Sequence, residues 1–261
     1  MNRWMVVLIM LMAAEIQAAG CKFERLLDQS LEVSGSQSLV IAAGAGDLQI
    51  VGVSGLDEVK ISGRVCVSEA KWLDEARLET SYGDPAKINV VLPDVGSSWS
   101  LWSSKYAYMD LELEVPEDLA MQLRDSSGDI EIEDISDISI KDSSGDIKIS
   151  RVSGSVEIED SSGDIKVRGI QGDFTIISDS SGDIRGSDIK GNVLVVADSS
   201  GDIWFSDVGK DVVIERDSSG DIEVENVGGD FRVLKDSSGS IHSKDVAGEV
   251  IIPEHKKHGS Y

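Results

Sequence analysis

Carboxylates and hydroxyls recur in this sequence at a spacing that would line them up. The tract Asp-Ser-Ser-Gly-Asp-Ile begins at Asp125, Asp142, Asp160, Asp179, Asp198 and Asp217, and an altered copy, Asp-Ser-Ser-Gly-Ser-Ile, begins at Asp236. The interval settles to about 19 residues, a period of stacked repeat architectures. Stacking would put the leading aspartates in one file, and Asp129, Asp146, Asp164, Asp183, Asp202 and Asp221 in a second. Carboxylates about 4.8 Å apart repel by roughly 1 kcal/mol in water, and by roughly 4 kcal/mol at an effective dielectric near 20. Two chemistries would relieve that. Each Asp can accept hydrogen bonds from backbone N–H groups of its own turn, helped by the Ser hydroxyls. Alternatively, the file Asp125, Asp142, Asp160, Asp179, Asp198 and Asp217, set on a convex corner, binds cations. Calcium takes six to eight oxygens, often carboxylates, so weak Ca2+ binding is the one cofactor expectation.

Catalytic arrangements are not evident. Asp-Ser-Ser-Gly is superficially like the Asp-Ser/Thr-Gly of aspartic proteases, but that chemistry needs two convergent carboxylates sharing a proton in a cleft. A sevenfold ladder does not supply one. His255 and His258 stand in a polar C-terminal tail that reads as solvated chain. Zinc-ligand spacing, a phosphate loop and a Gly-x-Ser-x-Gly elbow are all missing, so no catalytic residue is assigned. Aromatic side chains offer contact chemistry instead. Trp99, Trp102, Tyr106 and Tyr108 cluster in a Ser-rich stretch after Trp72. They would either cover the open end of a core or present rings to sugars or a protein partner. Trp204 falls between Arg185 and Glu223 on an outward row. There it would rest on Arg185 as a cation–π pair or mark a contact patch.

The elements that must position these groups are strands. Aligned on the repeated tract, the chain shows five apolar columns. The first is Ile130, Ile147, Ile165, Ile184, Ile203, Ile222 and Ile241; the last is Ile140, Ile158, Ile176, Val195, Ile214, Val233 and Ile252. Within each half-repeat the columns are two residues apart, so their side chains share one face of a strand. Charged residues such as Glu131, Lys148, Lys166, Arg185 and Glu223 take the other face. Glycines such as Gly145 and Gly154 mark the two corners, where φ > 0 is expected. One repeat cannot bury its apolar side alone, but a stack can. The expected fold is all-β: a right-handed parallel β-solenoid (β-helix), its seven regular coils rising roughly 34 Å at about 4.8 Å each.

Before the repeats, Gly46-Asp47-Leu48-Gln49-Ile50 reads as a degenerate coil, with Val53, Val59 and Ile61 near the later columns. The stretch from Ser68 to Lys105 breaks the pattern. A short helix or loop is expected around Ala70 to Glu79, and strands over Ile88 to Leu92 and Met109 to Val115. Solenoid ends need caps, and Cys21 to Leu39 plus the insertion is expected to form one. The expected organisation is a signal peptide over 1–20 and one solenoid domain over 21–261. Within it, 21–124 holds the cap, degenerate coils and insertion, 125–252 the regular repeats, and 253–261 a tail.

The formal net charge is −24, which argues against nucleic acid and anionic membrane surfaces as partners. Arg3 followed by the apolar run Trp4 to Ala14 and by Ala18-Ala19-Gly20 is an export leader, too short to span a bilayer. No transmembrane segment is expected, and the mature chain would lie in the periplasm or at the cell envelope. Cys21 and Cys66, the two cysteines, leave two readings open. Cys21 follows a small-residue box like that of a lipoprotein, which would make this an outer-membrane lipoprotein; or Cys21 pairs with Cys66 in an oxidising compartment.

The Gly-Asp-Ile-x-Val coils, Val115-Pro-Glu-Asp-Leu119 before the first regular coil, and the leader together resemble the bacterial "putative adhesin" β-strand-repeat family, a domain of unknown function. The start Cys21-Lys-Phe-Glu-Arg, Gly44-Ala-Gly-Asp-Leu48 and Cys66 resemble a Gram-negative exported subgroup in which both cysteines recur, which implies their pairing. The resemblance spans about Cys21 to Pro253. It implies a β-solenoid at the envelope and carries no catalytic residues. The expected function is a non-enzymatic envelope scaffold or adhesin-like module. Its ligand is an unknown envelope protein or glycan, with Trp99, Trp102, Tyr106 and Trp204 as candidate contacts. The alternatives are a carbohydrate-binding or carbohydrate-cleaving β-helix and a rod that self-associates end to end.

Overall fold

A computed structural model describes residues 21–96 and 105–253. The expected leader (residues 1–20), Trp99, Trp102, His255 and His258 lie outside the described residues. Two facing sheets of eleven strands each make a parallel β-solenoid. Its irregular part is β1 (Phe23–Glu32), β2 (Ser38–Ala45), β3 (Leu48–Val53), β4 (Glu58–Val67), β5 (Arg77–Ser81), β6 (Ala86–Val91) and β7 (Ala107–Pro116). Regular coils follow, one strand per sheet: β8 (Ala120–Ser127) with β9 (Ile130–Ile135), β10 (Ile138–Lys141) with β11 (Ile147–Val152), and β12 (Val156–Glu159) with β13 (Ile165–Ile170). The series continues through β14 (Phe174–Ser178), β15 (Ile184–Ile189), β16 (Val193–Val195), β17 (Ile203–Val208), β18 (Val212–Ile214), β19 (Ile222–Val227), β20 (Phe231–Val233), β21 (Ile241–Val246) and β22 (Val250–Ile251).

Stacking follows the apolar columns. Ile147 pairs with Ile130 on one side and Ile165 on the other, and Ile184, Ile203 and Ile222 continue the row. Each is at most 1% exposed. A buried Ile contributes about 1.5–3 kcal/mol by leaving water, and one-residue slippage would turn the whole row outward. Gly186 interrupts the neighbouring column, and the next coil compensates: a Cβ there would lie 2.7 Å from the Phe205 ring. Phe205 also packs edge-on against Phe174, with ring centroids 6.1 Å apart. The lengthening of the repeat after Asp160 is absorbed by a bulge, where Glu159 pairs with Ser178 rather than with the residue after Ile176. The extra residue is pushed outward, which is why Ile177 and, three coils on, Leu234 are exposed among buried columns.

The N-terminal segment departs from chain order. The coil β2–β3 lies between β6–β7 and β8–β9: β3 pairs in parallel with both β7 and β9, and β2 with both β6 and β8. Leu39 and Ile41 are therefore 0% exposed inside the stack, so the end of the expected cap, Leu39, lies in a coil. Antiparallel strands close this end instead: β4 on β7, β1 on β4, and β5 on β6. Val59 and Ile61 are buried on β4, so they belong to that antiparallel closure and not to a coil. Around Ala70 to Glu79 the chain forms a 3-10 turn, Ala70–Trp72, and then β5. Trp72 is buried, with the Lys71 and Lys105 ammonium groups 5.0 and 5.8 Å from its ring centre.

Cys21 and Cys66 form a disulfide that ties the start of β1 to β4 across 45 residues. By loop-closure entropy such a bond stabilises by about 4 kcal/mol. Replacing both cysteines by Ala should lower stability by about 2–4 kcal/mol, with amide exchange accelerating first in β1. Unchanged exchange in β1 would show that its backbone pairing with β4 suffices.

Candidate functional site

The Asp-Ser-Ser-Gly corner joins the end of one sheet's strand to the start of the other's. Its glycine is obligatory. Gly145 has φ 133°, and a Cβ there would sit 1.9 Å from the Gly128 carbonyl oxygen; Gly163, Gly182, Gly201, Gly220 and Gly239 repeat the geometry. From the second tract on, the second Ser donates its hydroxyl to the first Ser's carbonyl one coil earlier, as in Ser200 to Ser180 at 3.0 Å and Ser219 to Ser199 at 3.1 Å.

The aspartate after the glycine accepts the backbone N–H of its counterpart in the next coil. The chain of bonds runs from Asp110 through Asp47, Asp129, Asp146, Asp164, Asp183, Asp202 and Asp221 to Ser240, at 2.8–3.1 Å. Relief of this ladder therefore passes between coils rather than within one turn. It also records the stacking order, with Asp47 between Asp110 and Asp129. The altered seventh copy fits: Ser240 donates its N–H, and among the described residues no further coil follows to need its acceptor. A third ladder, which sequence reasoning missed, does the same at the opposite corner. Asp137, Asp173, Asp211 and Asp230 accept backbone N–H groups of Ser155, Asn192, Asp230 and Glu249. At that corner the left-handed backbone is carried not by Gly154 or Gly191 but by Asp134, Arg151, Asp188, Asp207, Asn226 and Asp245, all at φ 54–58°. Gly154 is required for another reason, because a Cβ would meet the Asp137 carboxylate at 2.3 Å.

The leading aspartates differ most from expectation. They do not sit on a convex corner. Asp125, Asp142, Asp160, Asp179, Asp198 and Asp217 turn inward and are 0–6% exposed. One oxygen of Asp142 accepts the Ser143 N–H at 2.6 Å, and one of Asp160 accepts the Ser161 N–H at 2.6 Å. The other oxygen of Asp142, Asp160, Asp179 and Asp217 is buried without a partner, as are both of Asp125 and Asp198. Burial disfavours the charged form, and neighbouring aspartates add to the effect. The carboxyls of Asp125 and Asp198 are pushed up to about 7, and those of Asp179 and Asp217 to about 6. Asp142 and Asp160 rise too, chiefly by burial. These side chains form a single file, and among the described residues no three His, Cys, Asp or Glu side chains converge as a metal cage. Protonation thus offers this file a route of relief that needs no cation. Millimolar Ca2+ is expected to leave the melting temperature unchanged at matched ionic strength, and a rise of several degrees would reassign the file to cation binding.

The outward face of the β9-to-β21 sheet carries side chains in register. One row reads Glu131, Lys148, Lys166, Arg185, Trp204, Glu223 and His242. The row beside it reads Glu133, Ser150, Arg168, Ser187, Ser206, Glu225 and Lys244. Lys148, Lys166, Arg168 and Arg185 are exposed. Together with Arg151 and Trp204 they line an open groove of about 580 Å³. Arg185 does not stack on Trp204 as the sequence led us to expect; its guanidinium donates to Asp183 at 2.7 Å. Tyr106 lies at the other end of the molecule. Its hydroxyl accepts the Lys22 N–H at 3.1 Å, and its ring is 6.0 Å from that of Tyr108. The structure thus separates Tyr106 from Trp204 and sets the latter in a groove lined by five cations.

Known proteins resemble this chain. The model of the family described as Toastrack DUF4097 matches residues 26–176, 96–207 and 153–250. A "putative adhesin" from Bacteroides fragilis of solved structure is 12% identical, covering 88% of this chain and 97% of its own, with a TM-score of 0.48. A "putative lipid binding protein" from Parabacteroides distasonis is 16% identical over 87% of this chain and 96% of its own, also at 0.48. A "putative cell adhesion protein" from Clostridium sporogenes is 14% identical over 85% and 99%, at 0.37. No curated protein matches.

Proposed function

The chain belongs to the Toastrack DUF4097 family, and on that footing we propose that it is an exported, non-enzymatic binding module, an envelope scaffold or adhesin-like protein whose partner is an envelope protein or glycan. One observation carries this reading. The carboxylates and hydroxyls that the repeat supplies are spent on the coil itself, accepting or donating between successive turns or lying buried in file. What remains for other molecules is the outward face of the sheets, with its rows of charged side chains. Export is supported by the leader at the start of the sequence and by the Cys21–Cys66 bond, since disulfides persist in oxidising compartments. Among the described residues no helix is long and apolar enough to cross a membrane. The test is retention of the purified intact chain on isolated envelope fractions, run beside incubation with a panel of polysaccharides. Saturable retention without new reducing ends is expected. Release of sugar products would make the protein an enzyme, and absence of retention would remove the binding role.

A second reading, end-to-end association, is favoured by the last coil. Val250, Ile251 and Ile252 are each 45% exposed, and among the described residues β21 and β22 are the terminal strands of their sheets. Open parallel edges of this kind pair readily. Sedimentation velocity over a hundredfold concentration range decides it: a constant coefficient excludes rods, and a steady rise supports them.

A further inference from the structure

We infer that the groove bounded by Lys148 and Trp204 is a binding site for an anionic polysaccharide; the inference rests on the binding-module reading above and names its ligand class. The patch runs against the character of the chain. The formal net charge is −24, yet Lys148, Lys166 and Arg185 stand on three successive coils in one row, with Arg168 in the row beside them. Beyond Trp204 the surface turns acidic again, with Asp207, Glu225 and Asp245 around the next hollow. Five basic side chains thus gather in one groove of a chain that is acidic overall. That arrangement admits an anion there and discourages it elsewhere.

Three features give the ligand its chemistry. First, the cations rise one per coil, about 4.8 Å apart, so a polymer with a negative group on successive units meets a new cation at each step. Second, not all of the charge is already used. Lys148 is held by Glu131, Lys166 by Asp164 at 3.1 Å and Arg185 by Asp183 at 2.7 Å, while Arg168 has no partner among the described residues. Its planar, always-charged fork suits carboxylate or sulfate. Third, Arg168 is set among small residues. Ser150 and Ser187 are its register neighbours on either side, and Gly169 follows it. Space over the strand is left open, and Ser187 offers a hydroxyl. Trp204 ends the run of cations in that row, half-buried between paired strands on both sides. An indole at that position provides the flat apolar surface on which a sugar ring stacks. Cations alone would suit any polyanion; the Trp wall and the small hydroxylated floor favour a saccharide.

The experiment titrates the intact chain with oligogalacturonate of defined length by calorimetry at low and moderate salt. Inorganic phosphate, anionic phospholipid vesicles and neutral dextran of matched size serve as comparison probes. Saturable binding of oligogalacturonate that weakens with salt is expected, with no binding of dextran. Arg168→Ala combined with Arg185→Ala should reduce affinity at least tenfold. Trp204→Ala should reduce it about three- to tenfold, and Lys141→Ala, on the opposite sheet, should leave it unchanged. Circular dichroism melts confirm that each variant folds. Absence of oligogalacturonate binding overturns the inference. So does equal binding by phosphate or vesicles, or insensitivity to Trp204→Ala, since either would reduce the site to bare charge. Envelope retention that survives the Arg168/Arg185 double replacement would overturn this site while leaving the binding-module reading intact.

Discussion

Asp198→Asn, made together with Asp217→Asn, should raise the melting temperature at pH 8 and lose that advantage near pH 4. The buried file is the cause. In the unfolded chain these carboxyls titrate near 3.8, whereas in the fold Asp198 is pushed up to about 7 and Asp217 to about 6. A folded pKa above the unfolded one means that the native state holds more protons between the two values. Stability therefore falls as pH rises from about 4 to about 7, and stays low above. Asn cannot ionise, so it removes that loss. The amide oxygen at 217 can keep the Ser219 N–H bond, and the amide at 198 can donate to the buried, unpartnered oxygen of Asp179. A gain of about 1–3 kcal/mol per replacement is expected at pH 8. For a domain of this size that corresponds to roughly 2–4 °C per kcal/mol. The wild-type protein should likewise be more stable at pH 5 than at pH 8. Half-buried carboxylates such as Glu133 and Asp134, lowered by Arg151, act in the opposite sense and only below about pH 4.5. Asp202→Asn is the control, because Asp202 is exposed and accepts the Asp221 N–H at 2.9 Å, a bond the amide oxygen preserves. If the two buried replacements destabilise at pH 8, the file is charged and compensated, and the protonation account is wrong.

Ile203→Asp should cost more than any surface change, of order 4–5 kcal/mol or loss of a cooperative melt. Ile203 is 1% exposed and stacked between Ile184 and Ile222. A carboxylate there has no donor to meet it, and the cavity left by the shorter side chain adds to the penalty. Glu223→Ala, one coil on and facing outward, should fall within about 0.5 kcal/mol. Urea melts of the two variants decide the matter, and similar midpoints would mean that the columns do not form the interior.

Part of the buried file is legible in the spacing of the residues. Asp125, Asp142 and Asp160 each follow an apolar column residue (Leu123, Ile140 and Ile158) by two positions, which is the same face of a strand. Residue type points the other way, because aspartate is rarely buried, and the convex-corner expectation followed type rather than spacing. In the later copies the bulge at Ile177 hides the step, since Asp179 stands three residues after Ile176. The basic groove was half-legible. The row Lys148, Lys166, Arg185, Trp204 follows from the alignment, whereas the hollow around Arg168 depends on how the small residues beside it leave the strand uncovered.

A stack of parallel coils with Ile over Ile follows from the recurrence of like side chains at the same point of every turn, since in-register stacking alone buries them all. The order of the irregular coils, with Asp47 seated between Asp110 and Asp129, emerges in the folded molecule and nowhere earlier. The reason is physical: a repeat names its own neighbours, while a segment that occurs once finds its place by whichever exposed sheet edge remains to be paired.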